Sequence, residues 1–168
     1  MLIDCSYFVS GPRQIQNATL GKLPNVHAET VNEAIKTYIR MFQWPFLKGV
    51  LGSHCATILN KYLKQIENSD EEHDEDLDMI IEQLNEPFAN YVFYKILRDV
   101  NDQATMTGLV HLKCANEYVS PIRRQVSIWN DMVDMIEDFS VWCKSSECRL
   151  SDISTDSNFL TKINVLNL

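Results

Sequence analysis

Apolar residues recur at helical spacing over most of this chain. Val31, Ala34, Ile35, Tyr38, Ile39 and Phe42 step by three and four, which predicts an amphipathic helix with one buried face. Thr30 and Glu33 have the S/T-x-x-E spacing of a capping box, so the predicted start is Thr30. Pro45 lacks an N–H and disfavours helix at Trp44, so the chain is expected to turn there and lay Phe46, Leu47, Val50 and Leu51 on the same core before stopping at Gly52. A second helix, capped by Ser53, carries Cys55, Ile58, Leu59, Tyr62, Leu63 and Ile66 on one face. Helix returns near Asp76 with Leu77, Ile80, Ile81 and Leu84. Pro87 then either kinks it or opens a new helix with Phe88, Tyr91, Val92 and Ile96.

Residues 101–108, NDQATMTG, read as a turn, and LVHLKCA after them as a short strand or a helical turn. Ser120-Pro121 marks the start of a last helix reaching Cys143. One row on it is Ile122, Val126, Trp129, Val133 and Ile136; a second is Ile128, Met132, Met135, Phe139 and Trp142. At about 100° per residue the rows lie roughly 110° apart, wider than a single core stripe, so two partners are expected to cover them. The second row is either the far side of a central bundle helix or a contact between subunits, the use that large aromatic and Met side chains suit.

The expected fold is mainly α: one small bundle of about four to five helices (residues 30–143, with an acidic loop at 67–78), an irregular N-terminal arm (1–29) and an extended tail (144–168). Neither Leu2 to Pro24 nor the polar KSSECRLSDISTDS shows a clean period, and the closing NFLTKINVLNL has β character.

Charge changes this picture at one place. The net charge is -8, yet Glu67 to Glu82 holds nine acids and no Lys or Arg, leaving fifteen basic and fourteen acidic residues elsewhere. A near-neutral body with one acidic segment is poorly suited to gripping phosphates. Asp70, Glu71, Glu72, Asp74, Glu75 and Asp76 lack the D-x-[DN]-x-[DN]-G pattern of a calcium loop and read as a solvated loop.

Candidate chemistry is sparse. Five cysteines without a C-x-x-C pair read as free thiols in a reducing compartment rather than a disulfide framework or zinc site. His27, His54, His73 and His111 stand apart, and the adjacent His54 and Cys55 point about 100° apart on a helix. Five glycines form neither G-x-G-x-x-G nor a P-loop. The expectation is no enzyme, no cofactor and no metal. The N-terminus lacks the pattern of a leader, and no apolar run reaches the roughly 20 residues of a membrane span, so a soluble, unprocessed chain is expected.

Four phrases carry a resemblance: AIKTYIRMFQWPFLKGVLG, LNEPFANYVFYKIL, TMTGLVHL and IRRQVSIWNDMVDMIEDF. Their order resembles the head-tail connector (neck adaptor) proteins of tailed bacteriophages, especially the version in phages of Bacteroides-like hosts, over most of Val31 to Trp142. The resemblance implies a helical bundle forming a homo-oligomeric, usually twelve-fold, ring under the portal, located in the virion neck and in host cytoplasm during assembly. It implies a spacer and seal with DNA passing through unbound. The chain ends would touch the portal and the next neck protein, through Phe159, Leu160, Ile163, Val165 and Leu166 on the C-terminal side, and the second row of the last helix would meet a neighbouring subunit. The acidic segment departs from the family pattern; lining the ring's lumen, it would repel the duplex and keep it sliding. A small helical adaptor that binds a regulatory protein through the Met/aromatic row is the other reading.

Overall fold

A computed structural model describes residues 1–19, 26–68, 73–100, 102–105, 108–111, 122–144, 150 and 152–164. The chain is a mainly helical bundle. Helix α1 spans Val26–Asn68, α2 Glu75–Val100 and α3 Ile122–Lys144, and strands β1 (Asp102–Thr105) and β2 (Gly108–His111) form an antiparallel hairpin between α2 and α3. The register pairs Asp102 with His111 and Thr105 with Gly108, so residues 102–105, expected as turn, are extended.

Among the described residues these are three helices rather than four to five, because neither proline ends one. Pro45 lies inside α1 and Pro87 inside α2. An internal proline removes one backbone hydrogen bond and crowds the preceding turn. At Pro45 that local penalty is opposed by Phe46, Leu47, Val50 and Leu51, all with no exposed surface, which hold the following turns against the core. The break expected at Pro45 falls instead at Gly52, whose φ of 78° and ψ of 165° only glycine adopts readily. Gly52 therefore bends α1 into two arms, 26–51 and 53–68.

The capping box at Thr30 is also corrected. The helix is already under way at Val26, and the Glu33 carboxylate accepts from Lys36 Nζ at 2.7 Å, pairing along the helix surface. By contrast α2 starts one residue from its expected place. Asp74 Oδ1 accepts from the Asp76 and Leu77 amides at 3.2 and 3.3 Å, and Glu75, Asp76 and Asp78 fill the first turn, where negative charge is stabilised by the helix dipole.

Helices α2 and α3 make the most extensive pairing, and α1 packs across α2. An aromatic seam runs through the contact: Phe46 lies 5.0 Å from Phe88 and 5.5 Å from Tyr91, ring centre to ring centre, and Tyr94 lies 4.9 Å from Trp129. Both irregular ends join this core. The N-terminal segment folds as two short 3₁₀ turns, Cys5–Phe8 and Gly11–Arg13, with Leu2, Ile3, Phe8 and Ala18 buried. Polar side chains hold its backbone: Gln43 Oε1 accepts from the Leu2 amide at 2.8 Å, and Asn32 Nδ2 donates to Thr19 O at 3.0 Å.

Candidate functional site

The bend at Gly52 creates the most specific surface feature of the chain. A helix end leaves carbonyls in need of donors, and here residues 152–164 supply them. The Ser154 amide donates to Leu51 O at 3.4 Å, Thr155 Oγ1 to Val50 O at 2.8 Å, and the Asp156 amide to Gly49 O at 2.8 Å. Asp156 also caps the 3₁₀ turn Ser157–Leu160 by accepting from the Asn158 amide. That turn drives Phe159 into the groove between α1 and α3, where its ring centre lies 5.4 Å from Tyr91, 5.9 Å from Phe46 and 6.3 Å from Trp129.

Gly49 forms the floor of the notch. A methyl group there would stand 2.7 and 2.8 Å from Phe159 Cδ2 and Cζ and nearer still to Cε2, so only a residue without a side chain admits the ring. Beyond Phe159, α3 holds the segment. Trp129 Nε1 donates to Thr161 O at 2.9 Å, and the Asn130 side chain pairs with both backbone groups of Ile163, donating at 3.0 Å and accepting at 2.9 Å. Lys162 pairs with Asp134 on the outer edge.

Phe159, expected among the portal or neck-protein contacts, is held inside this groove. It is 9% exposed and fills the chain's own core, so it offers little surface to a portal or neck protein. Leu160 is exposed and Ile163 half-buried, while Val165 and Leu166 lie outside the described residues.

The second row of α3 is largely covered within the single chain. Ile128, Met132 and Phe139 are 7%, 0% and 1% exposed, covered by α2 and the rest of the chain rather than left for a neighbour. Met135 and Trp142 are half-buried: Asn90 Nδ2 donates to Met135 Sδ at 3.7 Å, and Trp142 stacks 5.9 Å from Phe139. The row was wide because α3 is covered on two sides within one chain. Open apolar surface lies elsewhere, at Met41 (57% exposed) and Trp44 (41%) on α1 and at Val141 (67%) on α3.

Of the acidic segment, Asp70, Glu71 and Glu72 lie outside the described residues. Asp74 and Asp78 do structural work. Tyr62 Oη donates to Asp78 Oδ1 at 2.8 Å and accepts from the Asp74 amide at 2.9 Å, and His73 Nδ1 lies 3.1 Å from Asp78 Oδ2. Burial first, and the Asp78 hydrogen bond second, push the Tyr62 phenol above its ordinary pKa. Glu75 is exposed and Asp76 half-buried. The segment is thus in part a helix start, with acids where the dipole favours them, and not wholly a solvated loop.

Two polar features had no sequence signal of their own. Arg13 donates from Nη1 to Asn90 Oδ1 at 2.8 Å and from Nη2 to Glu86 at 2.5 Å, tying the N-terminal turns to α2. Lys95 Nζ sits over the rings of Phe42, Tyr91 and Tyr94 at 5.4, 5.0 and 5.7 Å. Burial holds its pKa below the usual lysine range, and the Arg98 cation adds to that.

Among the described residues no three His, Cys, Asp or Glu side chains meet as a metal site, and no helix is long and apolar enough to cross a membrane. His54 is exposed while Cys55 is buried, so the pair diverges as expected for helix neighbours. The side chains of His27 and His111 lie outside the described residues. Cys5 Sγ lies 3.6 Å from Asn32 O with its pKa raised by burial. Cys143 lines an open cleft of ≈ 510 Å³ with Ser140, Lys144, Leu150, Ile153 and Leu160. Compared with protein-family models, with curated proteins and with solved structures, the chain matches none.

Proposed function

We propose that the chain is a structural head-tail connector protein. It forms a homo-oligomeric ring in the neck of a tailed bacteriophage between portal and tail, seals the capsid vertex and lets DNA pass without specific binding. The supporting observation is where the resembling phrases fall. The FLKGVLG turn is the corner of the bundle, with Phe46, Leu47, Val50 and Leu51 fully buried and Gly52 at the bend. LNEPFANYVFYKIL and IRRQVSIWNDMVDMIEDF form the paired α2 and α3. Three of the four phrases that carry the resemblance therefore lie in the scaffold, which is what different connectors would share.

In this reading neighbouring copies meet through apolar side chains the monomer leaves open. Met41 and Trp44 stand one turn apart on α1, and Val141 adjoins Trp142 on α3. Leu160 and Ile163 face the portal or the next neck protein. The role is mechanical and needs no catalytic group.

Mass measurement tests the proposal. Native mass spectrometry and electron microscopy of the purified chain, alone and with the portal, should give a closed ring of many copies, and antibodies should find the chain in virions. A stable monomer or dimer that never enters particles would overturn it. Such a species binding a regulatory protein through Met135 and Trp142 would instead favour the adaptor reading, which has less surface to use now that Met132 and Phe139 lie in the core.

A further inference from the structure

We propose that the groove between α1 and α3 is an acceptor site for residues 152–164 of a second copy of this chain, so that two copies can exchange these segments. The proposal does not depend on the neck reading.

The grip on the segment is long-range throughout. Its receptor groups are the Gly49, Val50 and Leu51 carbonyls, the Gly49 notch, Trp129 Nε1 and the Asn130 amide, and the hydrogen-bonding partners on α1 and α3 are at least 32 residues away in sequence. None of these contacts requires donor and acceptor to lie on one chain. Recognition is also specific. A helix end with exposed carbonyls, a notch sized for one aromatic ring, a side-chain amide that reads an extended backbone and an aspartate facing Lys162 select this sequence over an arbitrary peptide.

Between α3 and the segment the sequence SSECRLS is mostly polar, its one large aliphatic side chain, Leu150, packs on the core, and Asp152 turns the chain with a φ of 70°, a left-handed conformation that aspartate adopts more readily than most side chains. Straightening that turn releases the conformation and lets the segment reach a neighbour, where it makes the same bonds. Because the closed and exchanged forms share their contacts, the connection before Asp152 and the protein concentration set the balance.

Complementation between two full-length variants tests this. Gly49→Ala fills the notch but leaves a sound segment; Phe159→Ala removes the knob but leaves a sound groove. Each alone should show residues 152–164 cut by protease at least ten-fold faster than in the wild type. Mixed at equal concentration with different tags, the segment of G49A should regain protection by docking in the F159A groove, and a 1:1 pair should appear by native mass spectrometry. Segment protection distinguishes this from association through other faces, which would give mixed species without slowing the cleavage. If F159A fails to fold alone, rescue of its helical signal by G49A counts as complementation, and Phe159→Leu serves as the milder knob-defective partner. Cleavage of the G49A segment at the same rate with and without either partner would overturn the proposal.

Discussion

Gly49→Ala offers a test in which the sign of the effect depends on a residue 110 positions away. In a helix interior, Ala is favoured over Gly by about 0.8–1.0 kcal/mol, so on α1 alone the change should stabilise. The new methyl, however, overlaps the edge of the Phe159 ring, which is already confined by Phe46, Tyr91 and Trp129. Expelling the ring forfeits about 1.5–3 kcal/mol of apolar burial and about 0.5–1.5 kcal/mol of aromatic contact, partly offset by the freedom the segment regains. The net expectation in the wild-type background is a loss of about 1–3 kcal/mol. In a Phe159→Ala background the space is vacant, the helix preference acts unopposed, and the same substitution should stabilise by up to about 1 kcal/mol. The coupling between the sites is therefore about 1–4 kcal/mol. Urea unfolding of the four proteins, followed by far-ultraviolet circular dichroism and tryptophan fluorescence, measures it. A neutral or stabilising Gly49→Ala in the wild-type background would refute the seating of Phe159. Equal destabilisation in both backgrounds would place the cost in the helix rather than the notch.

Three further outcomes follow from the same geometry. Gly52→Ala should cost about 1–3 kcal/mol in thermal or urea unfolding, and Phe159→Ala should not relieve it. A methyl there meets only Ser154 at ordinary distances of 3.4 Å and beyond, so the penalty lies in the backbone. Asp74→Ala should cost about 1 kcal/mol by removing the cap of α2, whereas Asp74→Asn should retain most of the stability; equal losses would show that charge, not capping, matters. Burial raises the pKa of the Tyr7, Tyr38, Tyr62 and Tyr91 phenols above their ordinary value. The folded state therefore holds these protons more tightly than the unfolded state. The stability so gained is complete below about pH 10 and is lost as pH rises through the raised values. Phenolate absorbance during alkaline titration should lag free tyrosine and rise together with loss of helical signal, and Tyr62→Phe should shift unfolding to higher pH. Phenolate absorbance that tracked free tyrosine with the helical signal intact would refute the burial argument.

The sequence by itself determined what depends on neighbours three and four residues away. The apolar period of α3, its end near Cys143, the start of α2 near Asp76 and the second arm of α1 beyond Ser53 were legible, because a helix face is a local repeat. Tertiary structure decided the rest. Whether Pro45 or Gly52 bends α1 depends on whether the turns after the proline are buried, and Phe46 to Leu51 hold them. Whether the Met/aromatic row of α3 faces a neighbour or the core depends on how much of the chain wraps it. The irregular ends were the least legible. Leu2, Phe8 and Phe159 carry no period, and their partners lie tens of residues away. The groove that defines the candidate site exists only where three distant features meet: a glycine with room beside it, a bend that leaves carbonyls open, and an asparagine that reads a passing backbone. Each is an ordinary residue in the sequence, and their meaning arises from long-range contact, which no local pattern encodes.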